Sequence, residues 1–221
     1  MRNSKVINTL AGLAIAGSAA WLFLVLNNGL PPRAGAKPAQ ASGWVMAQEA
    51  LRGLKPGGRL VVILRDTEAF KHPETDLQFR SFEQAIHKSG ATISATKTLQ
   101  VDPLRALEVP GGDFFELIRR SPPGSVIVSF MGPPILTPDQ RARLVNPKPP
   151  IIAFCPGALP QQIDLRVLFA EGLLRTAAIS RGTPLRPATT PKDLAGWFDI
   201  YYRTITATDA ANLYEPASGS R

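Results

Sequence analysis

The sequence is poor in the residues that most often do covalent chemistry. Its 221 residues include one cysteine and two histidines. A lone Cys155 forbids an intrachain disulfide, and with two histidines and no paired ligand spacing it falls short of a zinc set, so no metal is expected. No G-x-G-x-x-G follows any apolar run and no P-loop pattern occurs. That removes the glycines that cradle nucleotide phosphates, and no cofactor is expected. Basic residues outnumber acidic ones, 25 to 17, for a net charge of +8, yet no run of five cations occurs. Phosphate tracking needs a clustered stripe, so no nucleic-acid partner is expected. Scattered charge of this kind suits a solvated basic surface near anionic lipid headgroups.

Long apolar runs are scarce too, with one exception. From Val6 to Leu26 the chain reads VINTLAGLAIAGSAAWLFLVL, without a charge. At about 1.5 Å per residue this spans a hydrocarbon core of about 30 Å, and a single transmembrane signal anchor is expected. A cleaved signal peptide would carry an apolar part of roughly 7 to 15 residues with its cleavage site close behind. Here the run is longer, and Ala39-Gln40-Ala41 comes too late. No cysteine follows the run in lipoprotein fashion. Arg2 and Lys5 on one side nearly balance Arg33 and Lys37 on the other, but a leader of five residues favours an inside N-terminus and an exported domain.

Proline is abundant: 21 residues, about twice the usual share of roughly 5%. Ten of them fall between Pro122 and Pro160, where they punctuate short elements. The expected organisation is a leader and anchor over 1–29, a Pro/Ala-rich extended linker over 30–43, one α/β domain over 44–208 and a flexible tail over 209–221.

Within the domain two periodicities alternate. Trp44, Ala47, Leu51 and Leu54 fall at helical spacing, and Pro56-Gly57-Gly58 turns into the apolar strand RLVVILRD. Asp76 can cap a helix carrying Phe79, Phe82, Ala85 and Ile86 on one face, with Gly90 at its C-terminus. Ile93, Ala95, Leu99 and Val101 mark a half-exposed second strand. Gly111-Gly112-Asp113 opens a helix with Phe114, Leu117 and Ile118, and SVIVSFM is the third strand. Thr137-Pro138-Asp139-Gln140 carries a capping box for a helix to about Val145. PPIIAFCPG is the fourth strand, IDLRVLFAEGLL the next helix and RTAAISRG the fifth strand. Thr190-Pro191 repeats the capped start, before Leu194, Trp197, Phe198 and Tyr201. Strand and helix alternate five times, which predicts a three-layer α/β sandwich, flavodoxin-like or periplasmic-binding-protein-like, with a mainly parallel sheet of about five strands and right-handed crossovers.

ALRGLKPGGRLVVILRD is similar to a stretch of S-adenosylmethionine-dependent methyltransferases. In those enzymes the Pro-Gly-Gly turn stands late, after a Gly-rich cofactor loop, whereas here it precedes the first strand. LKPGGRL is therefore read as a helix-to-strand turn with Gly57 or Gly58 at positive φ.

QFRSFEQAIHKSGATI and FFELIRRSPPGSVIVSFMGPP, within Arg59 to Gly182, carry another likeness. The order of elements there resembles one lobe of a type I periplasmic binding protein, the fold of bacterial receptors that serve ABC transporters. The resemblance implies a substrate-binding-like module; with the anchor expected from the 6–26 run, the chain is expected in the bacterial inner membrane, single-pass, with its domain on the periplasmic, extracytoplasmic side. Those receptors close two lobes over a ligand, so a protein partner or a second copy is expected to supply the other half.

In an open parallel sheet, ligands bind beyond the carboxyl ends of the strands. The loops there, after the first, third and fourth strands, offer Asp66, Glu68, His72, Met131, Gly132 and Cys155 for a small polar ligand. Two readings of Cys155 stand side by side: a small buried residue, or a nucleophile with His72 in a cofactor-free enzyme. Asp66 and Glu68 are the alternative acid–base pair, and Asp66 equally suits a turn cap. His87 beside Lys88 is expected to face solvent. Trp197-Phe198 and Tyr201-Tyr202 suit a helix covering the sheet, or a stacking surface for sugars.

Overall fold

A computed structural model describes Gly17, Ser18 and residues 36–67, 71–100 and 109–210. The expected anchor apart from Gly17 and Ser18, Glu68, Val101 and the tail beyond 210 lie outside the described residues. Among the described residues no helix is long and apolar enough to cross a membrane. The chain divides into two compact units, Met1–Ala36 and Lys37–Arg221, and the sheet belongs to the second.

Helix α1 (Ala36–Gly53) leads through a turn into β1 (Leu60–Arg65), and α2 (Pro73–Lys88) connects β1 to β2 (Ala95–Leu99). The chain continues through α3 (Gly111–Arg120), β3 (Val126–Ser129), α4 (Pro138–Ala142), β4 (Ile151–Cys155), α5 (Leu159–Gln162), α6 (Leu165–Ala170) and β5 (Thr176–Ser180). It ends in α7 (Leu194–Tyr201), β6 (Tyr202–Ile205) and α8 (Ala207–Ala210). The sheet order is β2-β1-β3-β4-β5-β6, parallel throughout except for β6, which runs antiparallel to β5. This is the α/β architecture the alternation predicts, with one more strand at the edge.

Alternation along each strand divides the core. Leu60, Val62, Leu64, Val126, Val128, Ile152 and Phe154 pack with Met46, Ala47, Ala50, Phe82, Ile86 and Phe198 from α1, α2 and α7. Val61, Ile63, Ile127, Ile151, Ala153 and Cys155 face Phe114, Ile118, Leu165 and Phe169 from α3 and α6. Strands buried on both faces read as unbroken apolar runs, which is why β1, β3 and β4 stand out in the sequence.

Several boundaries differ from expectation. Residues 36–43, expected as extended linker, are the first turns of α1, and Ala39, Ala41, Ser42 and Gly43 are buried there. Their small size lets α1 lie against α2: a Cβ on Gly43 would fall 1.9 Å from the Gln78 carbonyl oxygen. At the same contact the Gln78 amide donates to Ser42 Oγ at 2.7 Å, and Ser42 Oγ donates to the Ala39 carbonyl at 2.9 Å, so the buried polar atoms are partnered. Helix α2 starts at Pro73, before Asp76, because proline at the first position needs no N–H partner. The α4 capping box forms as expected, with Gln140 N donating to Thr137 Oγ1, but the helix ends at Ala142. The cap of α7 is Asp193, which accepts from Gly196 N, and not Thr190. In the LKPGGRL turn Gly57 takes φ +78°, while Gly58 is required for another reason: a Cβ there would meet the Gly124 carbonyl oxygen at 2.1 Å.

Candidate ligand crevice

The chain leaves β1 toward the α2 layer and leaves β3 toward the opposite layer, where Leu136 is buried. The divergence between these neighbouring strands is the switch point at which sheets of this order bind ligands. A cavity of about 390 Å³ opens beside it, on the β2 side of β1.

Leu64, Thr96 and Thr98 form its floor. The register pairs Val62 with Thr96 and Leu64 with Thr98, so the two hydroxyls stand on the α2 face of the sheet. Helix α2 covers β1 and leaves β2 largely bare, and Thr96 and Thr98 are exposed. Thr75, Asp76 and Phe79 from the start of α2 form one wall. Arg65, Asp66 and Thr67 form the rim. Asp66 is held by the sheet, its N–H donating to the Leu99 carbonyl at 2.8 Å, one step beyond the last β1–β2 pair. Thr67 Oγ1 donates to Asp76 Oδ1 at 3.2 Å and ties the rim to the wall. Phe79 stacks on Phe82 with centroids 6.4 Å apart, and Phe82 meets Phe130 edge-on at 5.4 Å. The crevice thus offers carboxylates, hydroxyls, a guanidinium and an aromatic ring anchored in the core.

Of the residues expected to bind, Asp66 lines this crevice. His72 is exposed at the cap of α2 and makes no side-chain cap hydrogen bond. Met131 is buried in the core of the α3 and α6 layer. Gly132 turns the chain after β3 at φ +93°. Cys155 is fully buried among the residues facing that same layer, while His72 begins the helix that covers the other face. The geometry therefore assembles no Cys155–His72 pair. Thr75, Asp76, Phe79, Thr96 and Thr98 were not anticipated as site residues; the alternation of Thr96 and Thr98 in ATKTL was the signal available for two of them.

Burial pushes the Cys155 thiol up from the ordinary 9.0 to about 12. At neutral pH this leaves about three orders of magnitude less thiolate than an ordinary cysteine has. A raised pKa means that the folded chain keeps a proton the unfolded chain gives up. The stability it contributes is present below about 9 and is lost as pH rises toward about 12. We expect Cys155→Ala to cost on the order of 1 kcal/mol near neutrality. The urea midpoint of the variant should fall less than that of the parent between about pH 8 and about pH 11. An equal fall in both proteins would contradict the buried thiol.

No protein-family model matches the chain, and no curated protein matches it either. Solved structures do. It is similar to the XylFII-LytSN complex with a TM-score of 0.48 and 14% identity, over 77% of this chain and 60% of that one. It is similar to a periplasmic ribose ABC transporter from Conexibacter woesei with a TM-score of 0.48 and 11% identity, over 81% and 61% of the two chains. It is also similar to the Caulobacter myo-inositol binding protein, with a TM-score of 0.42 and 18% identity, over 64% and 46%. The chain spans about 60% of the length of the first of these.

Proposed function

We propose that this chain is a binding module that holds a small, hydroxyl-rich polar ligand in the crevice at the carboxyl end of β1. The observation that carries the reading is the lining itself: Asp66 and Asp76 as acceptors, the hydroxyls of Thr67, Thr96 and Thr98, and the Phe79 ring, gathered around about 390 Å³. Carboxylates and hydroxyls satisfy a polyol from several sides, and a ring covers its C–H face. The uncharged segment 6–26 would tether the module to a membrane, with the domain on the extracytoplasmic side, and a partner or second copy would close the crevice from above.

The test is the melting temperature of the purified chain with a panel of neutral monosaccharides and cyclic polyols, set against amino acids and dicarboxylates as controls. At least one neutral member should raise it. Asp66→Ala and Asp76→Ala should each weaken that ligand at least tenfold, the scale of roughly 1.4 kcal/mol for one charge-assisted hydrogen bond. A panel in which only the charged controls shift the melt, or a shift that survives both substitutions, refutes the reading.

A further inference from the structure

The opposite edge of the sheet carries a different kind of surface. Lys55 lies in the turn before β1, and its N–H donates to the Gly124 carbonyl next to β3 at 3.0 Å. Arg59 directly precedes β1, Lys148 lies just before β4 and Arg175 directly precedes β5. Adjacent strands lie about 4.8 Å apart, so the strand starts that carry these four cations span roughly 14 Å across β1, β3, β4 and β5, with the Arg175 guanidinium turned to the Arg52 carbonyl at 3.5 Å. Arg143, between α4 and Lys148, lies over the Phe115 ring, 5.2 Å from its centroid. Lys55, Arg59, Arg143 and Arg175 are exposed.

The carboxylates nearby are already engaged. Glu49 pairs with Arg52, Glu116 with both Arg119 and Arg120, and Glu171 with Arg141 at 2.7 Å. Lys148 spends its ammonium on a neutral acceptor, the Glu171 carbonyl, at 2.7 Å. Two concavities open on this edge: one of about 370 Å³ lined by Arg141, Lys148 and Glu171, and one of about 200 Å³ lined by Arg59, Ser94 and Arg120. In the larger, the buried Arg141 Nε and the buried Glu171 Oε2, two atoms of that same ion pair, have no partner among the described residues.

We infer that this amino edge docks an acidic face of a partner protein. The arginines here already take carboxylates, which is the geometry such a face would extend. A protein is favoured over a bare polyanion because Val145, 84% exposed, lies between Arg143 and Lys148 in the chain and offers an apolar contact beside the charges. The residues named on this edge include no exposed aromatic side chain on which nucleic-acid bases would stack.

The experiment uses the full chain in non-ionic detergent and an end-labelled peptide of alternating Glu and Leu, about ten residues long so that it spans the edge when extended. The peptide should bind, at least tenfold more weakly at about 300 mM than at about 50 mM salt. Lys55→Glu with Arg59→Glu should abolish that binding without lowering the melting temperature, since both side chains are exposed, and Arg175→Gln should weaken it. The same charge change away from this edge, Lys71→Glu with Arg186→Glu, should leave it within twofold. Val145→Ser should weaken the peptide about threefold and leave a single-stranded oligonucleotide of equal charge unaffected. The inference is overturned if the peptide does not bind, if both double variants lose binding equally, or if the oligonucleotide or anionic vesicles bind more tightly than the peptide.

Discussion

Replacing Gly43 by alanine should lower the stability of the domain by about 3 kcal/mol, the upper end of what overpacking a well-filled contact costs. The obstacle is backbone. The added Cβ would sit 1.9 Å from the Gln78 carbonyl oxygen and 2.8 Å from its carbon, so no rotamer change relieves it and α1 must move away from α2. That movement also pulls Ser42 Oγ from the Gln78 amide, now 2.7 Å away, and leaves buried polar atoms unpaired. For a domain of this size the melting temperature should fall by roughly 6 to 12 °C. Gly112→Ala is the control: nothing lies within 4 Å of its new methyl group, and alanine should hold stability or raise it by about 0.5 kcal/mol. Equal effects at the two glycines would contradict the close approach of the helices.

Phe82→Ala should be more damaging, at about 3–5 kcal/mol. The ring is fully buried between α2 and the sheet, edge-on to Phe130 and stacked with Phe79. Its loss leaves a cavity that neighbouring secondary structure cannot collapse to fill. The same substitution reaches the crevice, because Phe79 loses the ring that holds it against the core. Phe82→Leu should recover much of the stability while ligand affinity stays reduced, since an aliphatic side chain fills volume without offering a flat face to Phe79. Urea unfolding with the melt assay separates the two effects, and full recovery of both by leucine would show that Phe82 only fills space.

How much of the molecule is legible in its sequence depends on where each element buries its side chains. LVVIL, VIV and IIAF are closed in on both faces, so their apolar runs announce the parallel core. Strand β6 is hidden because Tyr202 continues the aromatic pattern of α7, and Arg203 and Thr204 face solvent at the sheet edge. The start of α1 is hidden for the opposite reason. Alanine, serine and glycine look like linker in composition, yet small size is what close helix packing requires. In the crevice, Asp66 follows from its place after β1. Thr75, Asp76 and Phe79 come from a helix that starts four residues earlier than a cap at Asp76 would place it, and Thr96 and Thr98 come from a strand face that only the tertiary arrangement leaves bare.

The sealed state of Cys155 makes the chain, toward a surface reagent, a cysteine-free protein. No native thiol has to be removed before a probe is attached. A cysteine introduced at Thr98 would put a single fluorophore or spin label on the floor of the crevice, and one at Lys55 would put it on the opposite edge. Occupancy of the two ends of the sheet can then be followed separately in the otherwise native chain.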